Sequence, residues 1–553
     1  MTTTLNPSLA KARPNVIPLR AEKWLVAGLL LATMLVPFLG KYQTGDALDV
    51  ASPLVEVIWS LLYLVAGVRL WALRDQARLL FPRTLPLLGF LALMMASSLW
   101  SVEATTFKRA IELIGTTTIG YYVVARFTLR ELLDMLVLAF GVAAVLSVAV
   151  IFGAPAHGRM DFGSGPWTGL FQEKNNLGAA MALGGLSLLV LLFERTARPQ
   201  PAGSPAASRP VNSAATSQPA NSAASRPASS EAGSHTASPR DASRRAGPEA
   251  DSRPTGSQVH GFSGEPNDAG KMIALAGLSV LLSPLTLFEW LGRRRALLLG
   301  TFGLVVALLA GSRSATSIGA FGIVTIFLVT AWACTSPKYG AAARILTVLG
   351  ALLAGTVWLA LGLTPDSIFD AAGRETNLTG RTDFWPYLQQ AISERPLLGY
   401  GYDAFFGSQL GKDTLSYYVV EAGGWTPYHA HNSFLQILLD CGYVGLCAFG
   451  LVLVCALWQA IAYAWRERSR TALWPLAILL YLLAGSFTET YFRSFNTIEW
   501  VVFVTAVLYP LRPKPADTPL APELGDFTSR GRLRRSWSDR RTARDRETLR
   551  ETA

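Results

Sequence analysis

Arg313, Arg381 and Arg493, Lys174, and the pair His429 and His431 are the side chains best suited to chemistry in this chain. Arginine is always charged, and its planar fork grips phosphate oxygens at two points. Histidine can take up a proton near neutral pH, as a general base must. Lys174, beside Asn175 and Asn176, could hold a phosphate or a carboxylate. Arg381 and both histidines fall in one polar stretch, 364–434. It contains GlyArgThrAspPheTrp (Gly380 to Trp385), ArgProLeuLeuGlyTyrGlyTyrAspAlaPhe (Arg395 to Phe405) and HisAlaHisAsnSerPhe (His429 to Phe434). Trp167, Trp385, Tyr400, Tyr402 and Trp425 could stack on a flat or ring-shaped ligand, or simply mark a membrane interface. Asn432 precedes a long apolar run, where asparagine caps a helix. The positive end of that helix favours a neutral, proton-accepting imidazole.

No Asp-x-Asp pair, no His/Cys/Asp spacing for a metal and no Walker loop is present. The expectation is chemistry without metal, nucleotide or other cofactor, with arginine in place of the cation. Asp366, Asp370, Asp383 and Asp403 leave a metal open. Cys334, Cys441, Cys447 and Cys455 lie in apolar stretches and read as core residues rather than a disulfide or zinc set.

The elements that must position these groups are apolar. Of 553 residues 51% are hydrophobic and 16% charged, well below the charge of a soluble domain. Continuous apolar runs recur at about the length that crosses a bilayer, which excludes the alternating pattern of a β-barrel. The reading is an all-α polytopic membrane protein. Spans are expected at 24–40, 54–73, 84–100, 109–126, 131–153 and 177–193, then 296–311, 314–333, 343–363, 433–463, 472–488 and 496–511, twelve in all. Arginine clusters on alternate loops place both termini inside and 364–432 outside. The net charge of +11 therefore reports orientation rather than nucleic acid. As one helix 433–463 would be about 46 Å long, more than the ~30 Å apolar core. Its start is expected to project into the outer site.

The remaining segments are polar. Residues 1–23 read as a cytoplasmic tail with no cleavable signal, and 512–553 as a basic cytoplasmic tail. Residues 194–271 form an Ala/Ser/Pro/Arg linker that cannot bury enough surface to fold. Residues 272–291 are long enough to span, yet arginines flank both ends; they read as an interfacial or re-entrant segment broken near Pro284.

GlyArg-x-x-x-Trp at 380–385, ProLeuLeuGlyTyrGlyTyr at 396–402, and HisAsnSer-x-Leu at 431–435 followed by Gly442 and Gly445 occur in that order. Together with Phe-x-x-LysAsn-x-LeuGly at 171–178, they resemble the bacterial O-antigen ligase and polymerase family. The resemblance implies a GT-C-like glycosyltransferase of the inner membrane that uses a polyprenyl-diphosphate glycan without a metal and inverts the anomeric centre. It selects His431 over His429 as base and raises Arg313 and Arg381 as the diphosphate clamp. Lys174, Asn175, Asn432, Tyr400, Trp385 and Arg493 would bind substrate. The acceptor would be a lipid-linked repeat (a polymerase) or lipid A core or protein (a ligase). ThrGlyArgThrAsp-x-Trp at 379–385 looks more like the exopolysaccharide-polymerase branch. Membrane lipid, a chain-length regulator and export proteins are the other partners implied, and no nucleic acid. A transporter or flippase would also suit twelve spans, but would put its charges near the midplane; here they gather at one face.

Overall fold

The computed structural model describes residues 19–44, 53–160, 165–194, 293–335, 340–360, 381–421, 426–467, 469–492 and 495–512. The chain divides into two compact units, and all these residues belong to the one built from Met1–Glu194 and Pro266–Ala553. Residues 195–292, holding nearly all of the linker and the whole 272–291 segment, lie outside the described residues, as do Trp425, Arg493 and residues 513–553.

The described residues are helical and form no strand. A helix stands over each stretch read as a span: α1 (Leu19–Thr44), α2 (Pro53–Ala72), α3 (Leu85–Ala96), α4 (Thr106–Arg126), α5 (Leu129–Gly153) and α6 (Lys174–Leu192). After residue 292 come α7 (Arg293–Ser312), α8 (Ala315–Cys334) and α9 (Gly340–Ala360). Two further helices, α10 (Arg381–Glu394) and α11 (Gln409–Glu421), precede α12 (Ser433–Glu467), α13 (Trp474–Gly485) and α14 (Ile498–Leu508). Seven helices among the described residues are long and apolar enough to cross a membrane. The protein is an all-α, multi-pass membrane protein. α6 is the hub: Leu177 to Leu191 are all buried, packed among α5, α7, α8 and α13. Its run of Gly, Ala and Ser lets neighbouring backbones approach closely, as membrane helix packing favours.

The bundle has two chemically different ends. At one end the basic loops lock the helices together. Glu22 is fully buried and pairs with Arg69 and with Arg126 (2.7 Å from Nε), while the Tyr122 hydroxyl donates to it at 3.1 Å. Arg294 pairs with Asp134 at 2.8 Å, and Arg470 donates to the Phe193 carbonyl at 2.8 Å. Glu22 belongs to α1, not to the tail that the sequence suggests, because two arginines from other helices compensate its charge there. Removing one partner from a buried ion pair strands the others. Glu22→Ala is expected to lower stability by about 3–5 kcal/mol, read as earlier unfolding of purified protein in detergent.

The opposite end carries the polar stretch. Its described part is not an open loop. α10 and α11 build a cap with its own core of Phe384, Leu388, Ala391, Ile392, Tyr400, Phe405, Leu415 and Tyr418. Positions 384, 388, 391 and 392 share one helical face, the spacing of a buried stripe.

Candidate active site

The ProLeuLeuGlyTyrGlyTyr segment joins the cap to the bundle by repairing a broken helix. α12 loses helical geometry at Cys441 (φ −138°, ψ 17°) and Gly442 (φ 61°, ψ −159°). Its short outer part, Ser433 to Asp440, therefore projects away from the long apolar part. A break leaves carbonyls and amides without helical partners. The segment supplies them. Tyr400 and Gly401 donate to the Leu439 and Asp440 carbonyls at 2.7 and 2.9 Å, and the amides of Tyr443 and Val444 donate to Pro396 and Leu397 at 2.8 and 3.2 Å. Gly442 occupies a region that is essentially glycine-only, and a Cβ there would collide with the Leu397 carbonyl. Gly442→Ala is expected to cost at least 1–3 kcal/mol, about the price of such strain; thermal unfolding of the purified variant is the check.

The outer part of α12 begins at the histidines. Asn432 caps it: its Oδ1 accepts from the amides of Phe434 and Leu435 at 2.9 and 3.1 Å, and its Nδ2 donates to the Phe487 carbonyl at 3.1 Å. His431 is buried, and its Nδ1 lies 3.5 Å from Oε2 of Glu489, itself buried. The ring of His429 sits against that of His431, centroids 3.9 Å apart. The His431 amide donates to Nδ1 of His429 at 3.0 Å. Ser433 holds the Glu489 segment in place, donating to the Glu489 carbonyl at 3.0 Å and accepting from the Tyr491 amide at 2.9 Å. The ligand atoms of His429, His431 and Glu489 lie within 4.8 Å of one another, close enough to hold a metal ion. A proton acceptor aligned by a carboxylate is the other chemistry this arrangement allows.

Two cavities meet at Tyr428, His429 and Gln172. The larger, about 870 Å³, lies under α11 and is bounded by Arg109, Asp403 and Lys412. The smaller, about 180 Å³, runs inward past Asn176, Glu489 and Glu499 to Thr33. Among the described residues four that are not glycine have left-handed backbones: Arg313, Asp403, His431 and Asn496. Asp403 lines the larger cavity and Asn496 the smaller. His431 lines neither cavity; its ring lies behind that of His429, which lines both. Strained backbone of this kind concentrates at functional sites.

The expected site residues fare differently. Arg313 sits in the α7–α8 turn at this same end, with no ion pair among the described residues. That turn packs beside the Glu489 segment: Thr316 and Thr488 hydroxyls are 2.6 Å apart, and those of Ser317 and Tyr491 3.5 Å. Arg381 begins α10, and its side chain lies outside the described residues. Lys174 and Asn175 open α6, where Asn175 is buried; it is Gln172 and Asn176 that reach the cavities. Trp385 is half-buried and donates to the Ala430 carbonyl at 3.0 Å, tying α10 to the histidine loop. Tyr400 departs from its expected role in binding substrate. Its ring is buried in the cap core and its hydroxyl donates to the Ala391 carbonyl at 2.7 Å. Burial and nearby Glu394 push this phenol up to about 12. Trp167 and Tyr402 are likewise core residues. Tyr400 packs into the cap core, and Trp167 and Tyr402 pack into the core of the bundle, with Trp167 against Gly311. Glu489 and the cavity residues Arg109 and Lys412 escape sequence reasoning, since each stands in an unremarkable setting.

Residues 270–450 match the model of a family described as O-Antigen ligase. The exopolysaccharide production protein ExoQ of Rhizobium meliloti (strain 1021) is 25% identical over 182 residues, covering 28% of this chain and 42% of that relative. These two matches support the O-antigen ligase and polymerase family for this chain. The match thus spans less than half of the relative's length. The O-antigen ligase segment takes in Arg313, Arg381, His429 and His431, together with the glycine segment and the helix break. Lys174, Glu489 and Arg493 fall outside it. The carboxylate beside His431 is therefore a contribution of structure beyond the O-antigen ligase segment.

Proposed function

We propose that the chain is an inner-membrane glycosyltransferase that polymerises polyprenyl-diphosphate-linked oligosaccharide repeats on the periplasmic face. The observation that carries this is the meeting of two cavities at His429, whose ring lies against His431 with the Glu489 carboxylate 3.5 Å beyond. A transfer between two bulky substrates needs two places to hold them and a base between. Glu489 at Nδ1 of His431 orients the ring so that Nε2 is the proton acceptor. The acceptor hydroxyl loses its proton to Nε2 as its oxygen attacks the anomeric carbon. The bond from that carbon to the diphosphate breaks on the opposite face, so the anomeric centre inverts. Arg313 and Arg381 take up the charge that grows on the departing diphosphate. Gln172 and Asn176 mark the α6 end of the same pocket, and Lys174 and Arg493 are further candidate phosphate ligands.

The alternating basic loops support the orientation: the locked end with Glu22 lies inside and the cap outside. The name of the exopolysaccharide production relative favours polymerase. The family's description favours a second reading, ligation of a finished glycan to lipid A core. One experiment separates them. Purified protein, treated with EDTA, is given a polyprenyl-diphosphate repeat together with either a second lipid-linked repeat or lipid A core. Lengthening of the lipid-linked chain is the expected result. Product on lipid A core alone would establish the ligase. Loss of activity with EDTA, restored by a divalent metal, would assign His429, His431 and Glu489 to a metal instead.

A further inference from the structure

We infer that the larger cavity is a subsite for an acidic glycan and that Lys412 selects its carboxylate. The inference rests on the glycosyltransferase reading and names the substrate class of that site. Along α11, Lys412, Leu415, Ser416 and Val419 line the cavity, while Tyr418 belongs to the cap core, which Leu415 and Val419 also touch. The cavity, at about 870 Å³, has the size of a site for several linked sugars. Its wall offers hydroxyls and an amide for sugar hydroxyls, and the rings of Phe406, Tyr428 and Phe495 for sugar faces.

The charges decide what kind of sugar. Arg109 is already engaged: its guanidinium donates to the Asp403 carbonyl and lies 3.0 Å from Oδ2 of the same residue. That pair is close to neutral as a unit. Lys412 has no ion pair among the described residues and is exposed to the cavity. The described lining therefore presents one uncompensated cation, within a concave wall that strengthens its field. An ammonium on a flexible stem suits a single carboxylate, whereas a diphosphate is better met by an arginine fork. A uronic acid or another carboxylate-bearing sugar meets the Lys412 charge, and a neutral repeat leaves it unused.

The test is equilibrium binding to the full-length protein in lipid nanodiscs at physiological salt. The probes are a glucuronate-bearing trisaccharide, its carboxyl-reduced counterpart, and inorganic pyrophosphate. Wild type is expected to bind the acidic trisaccharide about tenfold more tightly than the reduced one, the scale of one charge-assisted hydrogen bond. Lys412→Gln should erase the preference and Lys412→Glu should reverse it. Lys412 is exposed, so neither change disturbs the cap core. Equal binding of the two trisaccharides by wild type, a preference that survives Lys412→Gln, or no binding of either at millimolar concentration would each overturn the inference. So would pyrophosphate displacing the trisaccharide in a Lys412-dependent manner, since the site would then hold phosphate. Binding needs no turnover. A protein that shows the preference yet transfers nothing from a lipid-linked donor would refute the transferase reading and leave the subsite standing.

Discussion

His431→Ala should lower turnover by about 10²–10⁴, the usual contribution of a general base, while binding of the polyprenyl-diphosphate donor persists. The change removes the proton acceptor and leaves both arginines in place. It also keeps the His431 amide, which donates to His429, and leaves the Trp385 bond to the Ala430 carbonyl in place. The backbone at His431 is left-handed, φ 46°, and alanine is strained there. Asparagine tolerates that conformation better. His431→Asn is therefore the companion variant, expected to fold like wild type and to be as inactive as alanine. Turnover with a defined donor, direct donor binding and thermal unfolding are measured together. Near-normal turnover in a well-folded His431→Asn protein would make the residue structural. Loss of donor binding in both variants would make it a phosphate ligand, and another group would have to be the base.

The second large effect is expected at the arginines. Arg313→Ala or Arg381→Ala should weaken donor binding and slow transfer as well, because the diphosphate is charged before the bond breaks and gains charge as it breaks. Removing one well-placed donor from such a site costs about 10²–10³ in rate. Lysine should restore only part of this, since the charge returns without the two-point fork. Full recovery with lysine would show that charge alone suffices. A variant with slow transfer and unchanged donor binding would move that arginine from the clamp to the transition state only.

Much of the fold could be read from hydropathy, because a bilayer demands long apolar helices whatever their function. The exceptions are instructive. α4 carries Lys108, Arg109, Glu112 and Arg126 and falls outside the seven clearly apolar helices, yet it packs against α2 and α14 and sends Arg109 to the cap. The cap helices were hidden by the polarity around them, although Phe384, Leu388, Ala391 and Ile392 keep a helical period. Within the site, His431 and Asn432 stood out because they sit together at the mouth of a long apolar run. Glu489 did not, because a glutamate between threonines in a short turn has no pattern of its own. Its importance arises only from the fold, which brings it to a histidine far away in the chain. Tyr400 erred in the other direction: a tyrosine between glycines suggests an exposed, adaptable ring, whereas here the glycines let the backbone close over it.

The ties from Ser433 to the Glu489 segment also govern when the site comes into being. The two residues are 56 positions apart, and at bacterial synthesis rates of about 5–20 residues per second that interval lasts roughly 3–11 s. During it the histidine has been made and the carboxylate that comes to lie beside it has not. The outer part of α12 also lacks the Ser486 carbonyl that accepts from the Ser433 amide at 2.9 Å. A nascent chain paused within this window would hold the arginines, the glycine segment and both histidines without the constellation that aligns them. Competence would then be a late event of biogenesis, set by the arrival of the α13–α14 turn.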